Sequence, residues 1–328
     1  MSAFAKLVQE KFDSAKKSED LISYETTEVE KASGGMNFIL TLAPALSQKT
    51  AQNKESKDSK EKPNPFLNPN SALVVKELDQ HIMLLNKFAV SPNHLLIVTK
   101  EFKKQTDPIL PDELYEAFKA MTDFGYSQPT LAFYNCGPNS GASQGHKHIQ
   151  VLPLNREHEF QPPVKQLFDE IPDRQIGQIY AINKLPFVHV IIGLDSNIIR
   201  GAKDKRDSLT EYLGQVFFGL LDAMFQQLRE NSSSLNPSYN FLMTQDFMML
   251  VPRSKDSATI EHDGKSFEFS INSLGFGGSI LCKTEEELAA LKAQDNLMDL
   301  LTQVGIAWSP DADKYDAERQ LAETSELV

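Results

Sequence analysis

The stretch from Leu131 to Leu154, LAFYNCGPNSGASQGHKHIQVLPL, constrains this chain more tightly than any other. It reads as a strand, a loop of small and polar residues from Asn135 to Gly145, and a second strand starting near His146. Glycines at 137, 141 and 145 let the loop backbone turn N–H groups toward an anion without side-chain obstruction. A glycine-rich loop alone is more often a tight connection. The second strand changes that reading. His146, His148 and Gln150 alternate, so on a strand they share one face, while Lys147, Ile149 and Val151 share the other. Three polar groups on one face make a poor core and a good site.

Several chemistries are open to such a face. Two histidines and a glutamine with no nearby Asp, Glu or Cys form a weak metal set, so no protein-bound metal is expected. Serine hydrolysis lacks a nucleophile-elbow motif. A nucleophilic histidine fits better. A neutral imidazole attacks phosphorus when its other ring nitrogen is held by a hydrogen bond, and His148 is the candidate. Gln150 can donate an amide N–H to a phosphoryl oxygen but has no proton to deliver.

Composition narrows the partners. The net charge of −12 argues against a general nucleic-acid coat. A polyanionic substrate therefore needs a locally basic site or the help of a divalent cation. Two cysteines, Cys136 and Cys282, cannot build a disulfide framework, and no apolar run reaches the length of a membrane helix. A cytoplasmic location, with the nucleus as a further possibility, and no membrane partner are the expectations.

The rest of the chain alternates short strands with a few long helices, which predicts an α+β fold with a largely antiparallel sheet. Strands are expected at 37–42, 72–76, 81–88, 94–99, 130–134, 148–152, 187–194, 238–243, 248–251, 267–271 and 280–282. Helices are expected over residues 1–17 and 111–122. A third should start at a Ser208/Glu211 capping box, and a fourth should run from Thr284/Glu287 to Gly305. Residues 47–64, rich in Lys, Ser and Asn, read as a mobile loop, and the acidic tail 311–328 reads as peripheral. A weak seam near Gly201–Asp207 divides the chain into 1–200 and 201–328, two parts expected to pack on one core.

His146-Lys147-His148-Ile149-Gln150, after Asn135-Cys136-Gly137 and Gly141-Ala142-Ser143, resembles the H-x-H-x-Q transferase branch of the histidine-triad superfamily. Asn86-Lys87-Phe88 and Pro92-Asn93-His94-Leu95-Leu96 look like that superfamily's nucleoside-binding turn and strand. Ala43-Pro44-Ala45-Leu46 with Lys49, Val251-Pro252-Arg253-Ser254 and Ile271-Asn272-Ser273-Leu274-Gly275 are similar to fungal diadenosine tetraphosphate phosphorylases. The resemblance implies a histidine-triad-like sheet flanked by helices, with a carboxy-terminal extension.

It also implies a reaction, phosphorolysis of diadenosine tetraphosphate to ATP and ADP through an adenylyl group on His148. His146 and Gln150 would complete the catalytic set. Substrate would be held by Lys49, Asn86, Lys87, Asn135, Gly141, Ala142, Ser143, Gln144, Asn272, Ser273, Leu274, Ser279 and Lys283. Arg253 and His189 are further candidates. The implied partners are small nucleotides and phosphate, with a divalent cation such as Mg2+ assisting through the substrate, and the chain is expected to act as a monomer. Three rivals stand beside this reading. A dinucleoside polyphosphate hydrolase usually carries histidine where this chain has Gln150. A sugar-1-phosphate nucleotidylyltransferase usually has proline where it has Lys147. A nucleotide-binding protein without catalysis needs no nucleophile.

Overall fold

The structure is a computed structural model, and it describes residues 1–33, 36–47, 64–125, 127–154, 162–182, 184–202, 204–232 and 238–309. Lys49, nearly all of the loop expected at 47–64 and the acidic tail lie outside the described residues.

In chain order the strands are β1 (Ile22–Ser23), β2 (Thr27–Ser33), β3 (Met36–Leu42), β4 (Val74–Glu77), β5 (His81–Leu85), β6 (Phe88–Ala89), β7 (Leu95–Thr99) and β8 (Thr130–Cys136). They continue as β9 (His148–Pro153), β10 (Ile179–Tyr180), β11 (Val190–Gly193), β12 (Tyr239–Met243), β13 (Phe247–Pro252), β14 (Ser257–His262), β15 (Lys265–Ser270) and β16 (Ser279–Cys282). The helices are α1 (Ala3–Lys17), α2 (Pro111–Phe124), α3 (Pro163–Asp169), α4 (Ser196–Gly201), α5 (Arg206–Asn231), α6 (Ser273–Phe276), α7 (Glu285–Ala293) and α8 (Met298–Val304).

Nine strands form one antiparallel sheet in the order β10-β11-β13-β12-β8-β9-β7-β5-β4. The α+β expectation, with a largely antiparallel sheet between helices, is borne out. Strands from both sides of residue 201 interleave here, with β12 pairing β8 and β11 pairing β13.

The two faces of the sheet behave differently, and this difference places the site. On one face Ile149, Val151, Leu95, Ile97, Ala132 and Tyr134 merge with Leu114 and Phe118 of α2, Leu213 and Phe217 of α5, and Val8 and Phe12 of α1. That is a closed core, and the burial of such side chains is the main stabilising term in the fold. Lys147 projects into this face and is almost fully buried. It survives there because its ammonium lies 2.6 Å from Glu113 and also donates to Pro108 O.

On the opposite face the apolar side chains form two separate clusters. One holds Leu131, Phe133, Leu152, Leu242 and Met249 with the carboxy-terminal elements. The other is small, made of Phe66, Ile82, Leu84, Leu96 and Val98. Strand β9 runs between them and puts His148 and Gln150 into the gap.

Two helix expectations need correction. Ser208 does not cap α5, which starts at Arg206 with Lys205 as a cap lacking any side-chain bond. Arg206 lies 2.9 Å from the buried carboxylate of Glu116 on α2 and stacks on Tyr115, so tertiary pairing carries the helix past the local capping signal. The helix expected from Thr284 to Gly305 is two helices. Thr284 does cap α7, accepting from Glu287 N–H, but the chain breaks before α8. Ser33 sits at that break, donating to Asp295 O and accepting from Leu297 N–H. Strands β2 (TEVEKAS) and β14 (SATIEH) were missed, since each carries few apolar residues among charged and polar ones.

Candidate active site

The β8–β9 ladder runs only from Thr130↔Pro153 to Phe133↔Gln150. Beyond it the strands part, and the side chain of Gln105 enters the opening. Its Oε1 accepts from His148 N–H at 2.8 Å, and its Nε2 donates to Asn135 O at 2.9 Å and toward His148 O at 3.3 Å. Its own backbone N–H donates to Gly145 O at 2.9 Å. Gln105 thus ties both ends of the glycine loop to the strand that carries the histidines. It lies in a polar connection, Lys103–Thr106, and nothing in the sequence pattern marked it.

His148 is 5% exposed, and its Nδ1 lies 2.9 Å from His146 O. A carbonyl only accepts, so Nδ1 carries the proton and Nε2 keeps the lone pair. Burial pushes the ring down to about 4, against the pull of the His146 carbonyl, and the neighbouring His146 lowers it further. At neutral pH the side chain is therefore an uncharged imidazole in one tautomer, the form a nucleophile needs.

His146 is set in the opposite sense. Its Nε2 donates to Thr99 O at 2.8 Å, which leaves Nδ1 to accept from Asn64 Nδ2 at 2.9 Å. Phe66 and Phe102 pack edge-on against this ring, and Phe66 also lies 5.2 Å from the His148 ring. Burial lowers the pKa of His146 as well. Both of its nitrogens are engaged, and its backbone carbonyl is the group that fixes His148 Nδ1.

The loop above β9 rests on a buried polar network. Asn135 Oδ1 accepts from Asn240 Nδ2 at 2.9 Å, Ser273 Oγ at 2.7 Å and Ser273 N–H at 2.9 Å. That oxygen is saturated, so a ligand can meet Asn135 only through its Nδ2. Ser273 is wholly buried, and its one hydroxyl proton lies between Asn135 Oδ1 and Tyr134 O, so it supports Asn135 from the inside. Gly141 is left-handed (φ +76°) and lies so close to the 271–272 backbone that a Cβ there would meet Ile271 O at 2.5 Å. Ala142, Ser143 and Gln144 come next, at the surface, and their N–H groups donate to no backbone carbonyl among the described residues.

Arg253 anchors this network from below. It is 0% exposed, and its five donors go to Val304 O, Ser140 O, Asn240 Oδ1, Lys255 O and Ile271 O. Burial without a paired carboxylate pushes it down to about 9, partly offset by Asp256. Arg253 is thus a buried cation under the loop with all five donors engaged by protein groups. His189 is likewise internal, accepting from Ile182 N–H and donating to Phe187 O.

The remaining expected residues are more dispersed. Asn86 stands at the end of β5, bonded to His94 Nδ1 at 3.2 Å, and Lys87 is exposed beside it with its ammonium 5.9 Å from the Phe88 ring centre. Asn272 caps α6 by accepting from Leu274 N–H at 2.9 Å and packs against Gly141. Ser279 and Lys283 belong to β16 and its end, on a separate three-stranded sheet, where Cys282 O accepts from Ala43 N–H. Among the described residues no group of three or more His, Cys, Asp or Glu could hold a metal ion, and no helix is long and apolar enough to cross a membrane.

Comparison with known proteins fits this geometry. A family model described as "Ap4A phosphorylase N-terminal domain" matches residues 1–170, and one described as "ATP adenylyltransferase C-terminal domain" matches residues 183–307. Diadenosine 5',5'''-P1,P4-tetraphosphate phosphorylase 2 of Saccharomyces cerevisiae is 32% identical over 309 residues, covering 89% of this chain and 91% of the relative. The chain belongs to the Ap4A phosphorylase family. Protein APA1 of the same yeast is 27% identical, covering 92% of this chain and 94% of its own length. The crystal structure of yeast Ap4A phosphorylase Apa2 superposes with a TM-score of 0.75 at 28% identity, covering 96% of this chain and 98% of Apa2. Apa2 in complex with Ap4A gives 0.73 at 28% identity, covering 94% and 98%. The resemblance to diadenosine tetraphosphate phosphorylases is therefore a family membership, and this phosphorylase-family chain spans nearly the whole of its relatives.

Proposed function

We propose that this chain is a nucleotidyltransferase that cleaves diadenosine tetraphosphate with phosphate, giving ATP and ADP, through an adenylyl group carried on His148. The observation that carries the reading is the His148 Nδ1 contact with His146 O, which leaves Nε2 unprotonated. Family membership supports the substrate class.

In the first step Nε2 forms a bond to the α-phosphorus and the bond to the bridging oxygen breaks, releasing ATP. The ring becomes a cation, and its Nδ1–H donates to a carbonyl already in place, so positive charge develops toward an oriented dipole. In the second step an oxygen of inorganic phosphate attacks the same phosphorus, ADP forms, and neutral His148 returns. The leaving triphosphate ester and the attacking phosphate are both anions at neutral pH, so neither step needs a general acid or base.

Gln150 suits this economy. It donates to a phosphoryl oxygen but cannot deprotonate water, and water requires that help while phosphate does not. The 141–144 backbone, Asn135 Nδ2, Asn86, Lys87 and Lys49 are assigned to the polyphosphate and nucleoside, with Asn272, Leu274, Ser279 and Lys283 on the carboxy-terminal side. A divalent cation carried on the polyphosphate would lower the charge that an acidic protein must accept.

The test is a product assay on diadenosine tetraphosphate with and without phosphate, together with acid-labile trapping of adenylate on the protein. ADP should form only with phosphate, and His148→Ala should abolish both trapping and turnover. Full turnover by His148→Ala would refute the mechanism. Gln150→His should raise water-dependent cleavage relative to phosphorolysis, and an unchanged ratio would remove the role given to the amide.

A further inference from the structure

Three buried histidines stand near the gap in the sheet, and adenylyl transfer as described uses two. The third is His94, 8% exposed, immediately before β7. Its neighbours fix its protonation. Asn86 Oδ1 accepts from Phe88 N–H at 3.1 Å, so the amide end turned to His94 is Nδ2, which donates to His94 Nδ1 at 3.2 Å. A ring nitrogen that accepts has no proton, so neutral His94 carries its proton on Nε2. Burial keeps the ring neutral, pulling it down to about 4 despite the contact with Gln150.

Register says what that proton meets. Leu96 pairs with Gln150 across β7 and β9, and His94 lies two residues earlier on the same face. Gln150 and the His148 ring are the polar groups near His94, and of the two the Gln150 amide is the one in hydrogen-bonding approach. The approach falls short of an ordinary hydrogen bond, and His94 Nε2 is a buried atom with no hydrogen-bond partner among the described residues. Catalytic contacts commonly tighten only when substrate arrives.

We propose that His94 is a positioning residue that selects the orientation of the Gln150 amide. Its Nε2–H takes the amide oxygen, which turns the amide N–H groups toward the phosphoryl group on His148. This rests on adenylyl transfer at His148. The reverse orientation would aim an oxygen lone pair at anionic phosphoryl oxygens and repel them. Because Asn86 fixes the tautomer of His94, a nucleoside contact at Asn86 is linked to the amide two side chains away. Phe88 N–H, Asn86, His94 and Gln150 form one directional chain.

The experiment has three arms on the full-length protein. Trapping of adenylate on the parent comes first, since its absence would sink the reading of His148 itself and this inference with it. Where the parent is adenylylated, His94→Phe should cut kcat about tenfold to a hundredfold with KM changed less than about threefold. His94→Gln, which keeps a donor at the Nε2 position, should recover most of the loss. In a Gln150→Ala background His94→Phe should cost no more than about twofold, because the group it acts through is gone. Independent, multiplying losses in the double variant would overturn the proposal and leave His148 untouched. Should His94→Phe fail to fold, nitrogen NMR of the parent decides the matter. A protonated Nε2 and bare Nδ1 on His94 are expected, and a proton on Nδ1 would overturn the assignment.

Discussion

The side-chain amide of Gln105 holds both backbone groups of His148, accepting from its N–H at 2.8 Å and donating toward its C=O at 3.3 Å. It does so where the β8–β9 ladder has opened, and so replaces strand pairing with a side chain. Truncation to Ala strands at least the His148 N–H and Asn135 O in a buried setting. Each unsatisfied group costs about 1–3 kcal/mol, so Gln105→Ala should lose roughly 2–4 kcal/mol in urea unfolding. The adenylylation rate should fall as well, by about tenfold or more, since the nucleophile loses its fixed seat. A variant of parental stability and rate would show that the loop holds itself open.

His148, His94 and His189 are each pulled to about 4 by burial, from an ordinary value of 6.5. Below about pH 6.5 the unfolded chain takes up protons that the folded chain refuses. Stability is therefore intact above that pH and is lost as pH falls toward 4, at up to about 1.4 kcal/mol per unit per histidine. Unfolding free energy at about pH 5 should lie several kcal/mol below that at about pH 7.5. Adenylylation by protein that is still folded should show no titration near 6.5. An inflection there would mean that His148 is solvated and that its neutral state is not imposed by the fold.

Arg253 separates a structural cation from a substrate-binding one. Replacing it with Met removes a donor from five acceptors; Val304 O keeps Ser254 N–H and Ser140 O keeps Asn240 Nδ2, while the buried Asn240 Oδ1 and Ile271 O lose the guanidinium. Partial relaxation and entry of water limit the damage, and a loss of about 3–5 kcal/mol is expected. Arg253→Lys should recover little, because one ammonium cannot reach acceptors spread around a planar guanidinium. Urea unfolding of both variants checks this. Parental stability with a raised KM would instead place the guanidinium on the substrate.

What the sequence revealed and what it hid divide along chain separation. The His146, His148, Gln150 face was legible because strand period is a local property, and the glycine loop was legible because left-handed backbone favours glycine. The strands of the main sheet were found from short apolar, β-branched or aromatic runs bounded by Pro, Asn or Gly, which is also a local signal. Gln105 and Asn240 were not found, because their partners lie 30 to 105 residues away and no spacing rule joins them. Asn240 left a trace as a lone amide inside an apolar strand, Tyr239–Met243, and Gln105 left none. Arg253 was marked by family motif alone, which could not tell a buried support from a ligand contact. Ser208 shows the opposite error, a sound local capping signal overridden by the distant pairing of Arg206 with Glu116.

Gly141 and Gly145 offer a paired test of the loop. Gly141 has φ +76°, and a Cβ there would lie 2.5 Å from Ile271 O and 3.0 Å from Asn272 Cβ. Neither neighbour is free to move: Asn272 caps α6, and Ile271 O accepts from Arg253. Gly141→Ala must therefore displace the loop itself, at a cost of about 1–3 kcal/mol in strain. Gly145 has no positive φ and nothing within 4 Å of a built Cβ, so Gly145→Ala should change stability by less than about 0.5 kcal/mol. If the 141–144 backbone receives the polyphosphate, Gly141→Ala should also raise KM for diadenosine tetraphosphate about tenfold, since displaced N–H groups no longer converge on the anion. Titration of a non-cleaved dinucleotide analogue into both variants measures the effect apart from chemistry. Equal affinity in the two, alongside unequal stability, would move the phosphate contacts off this loop.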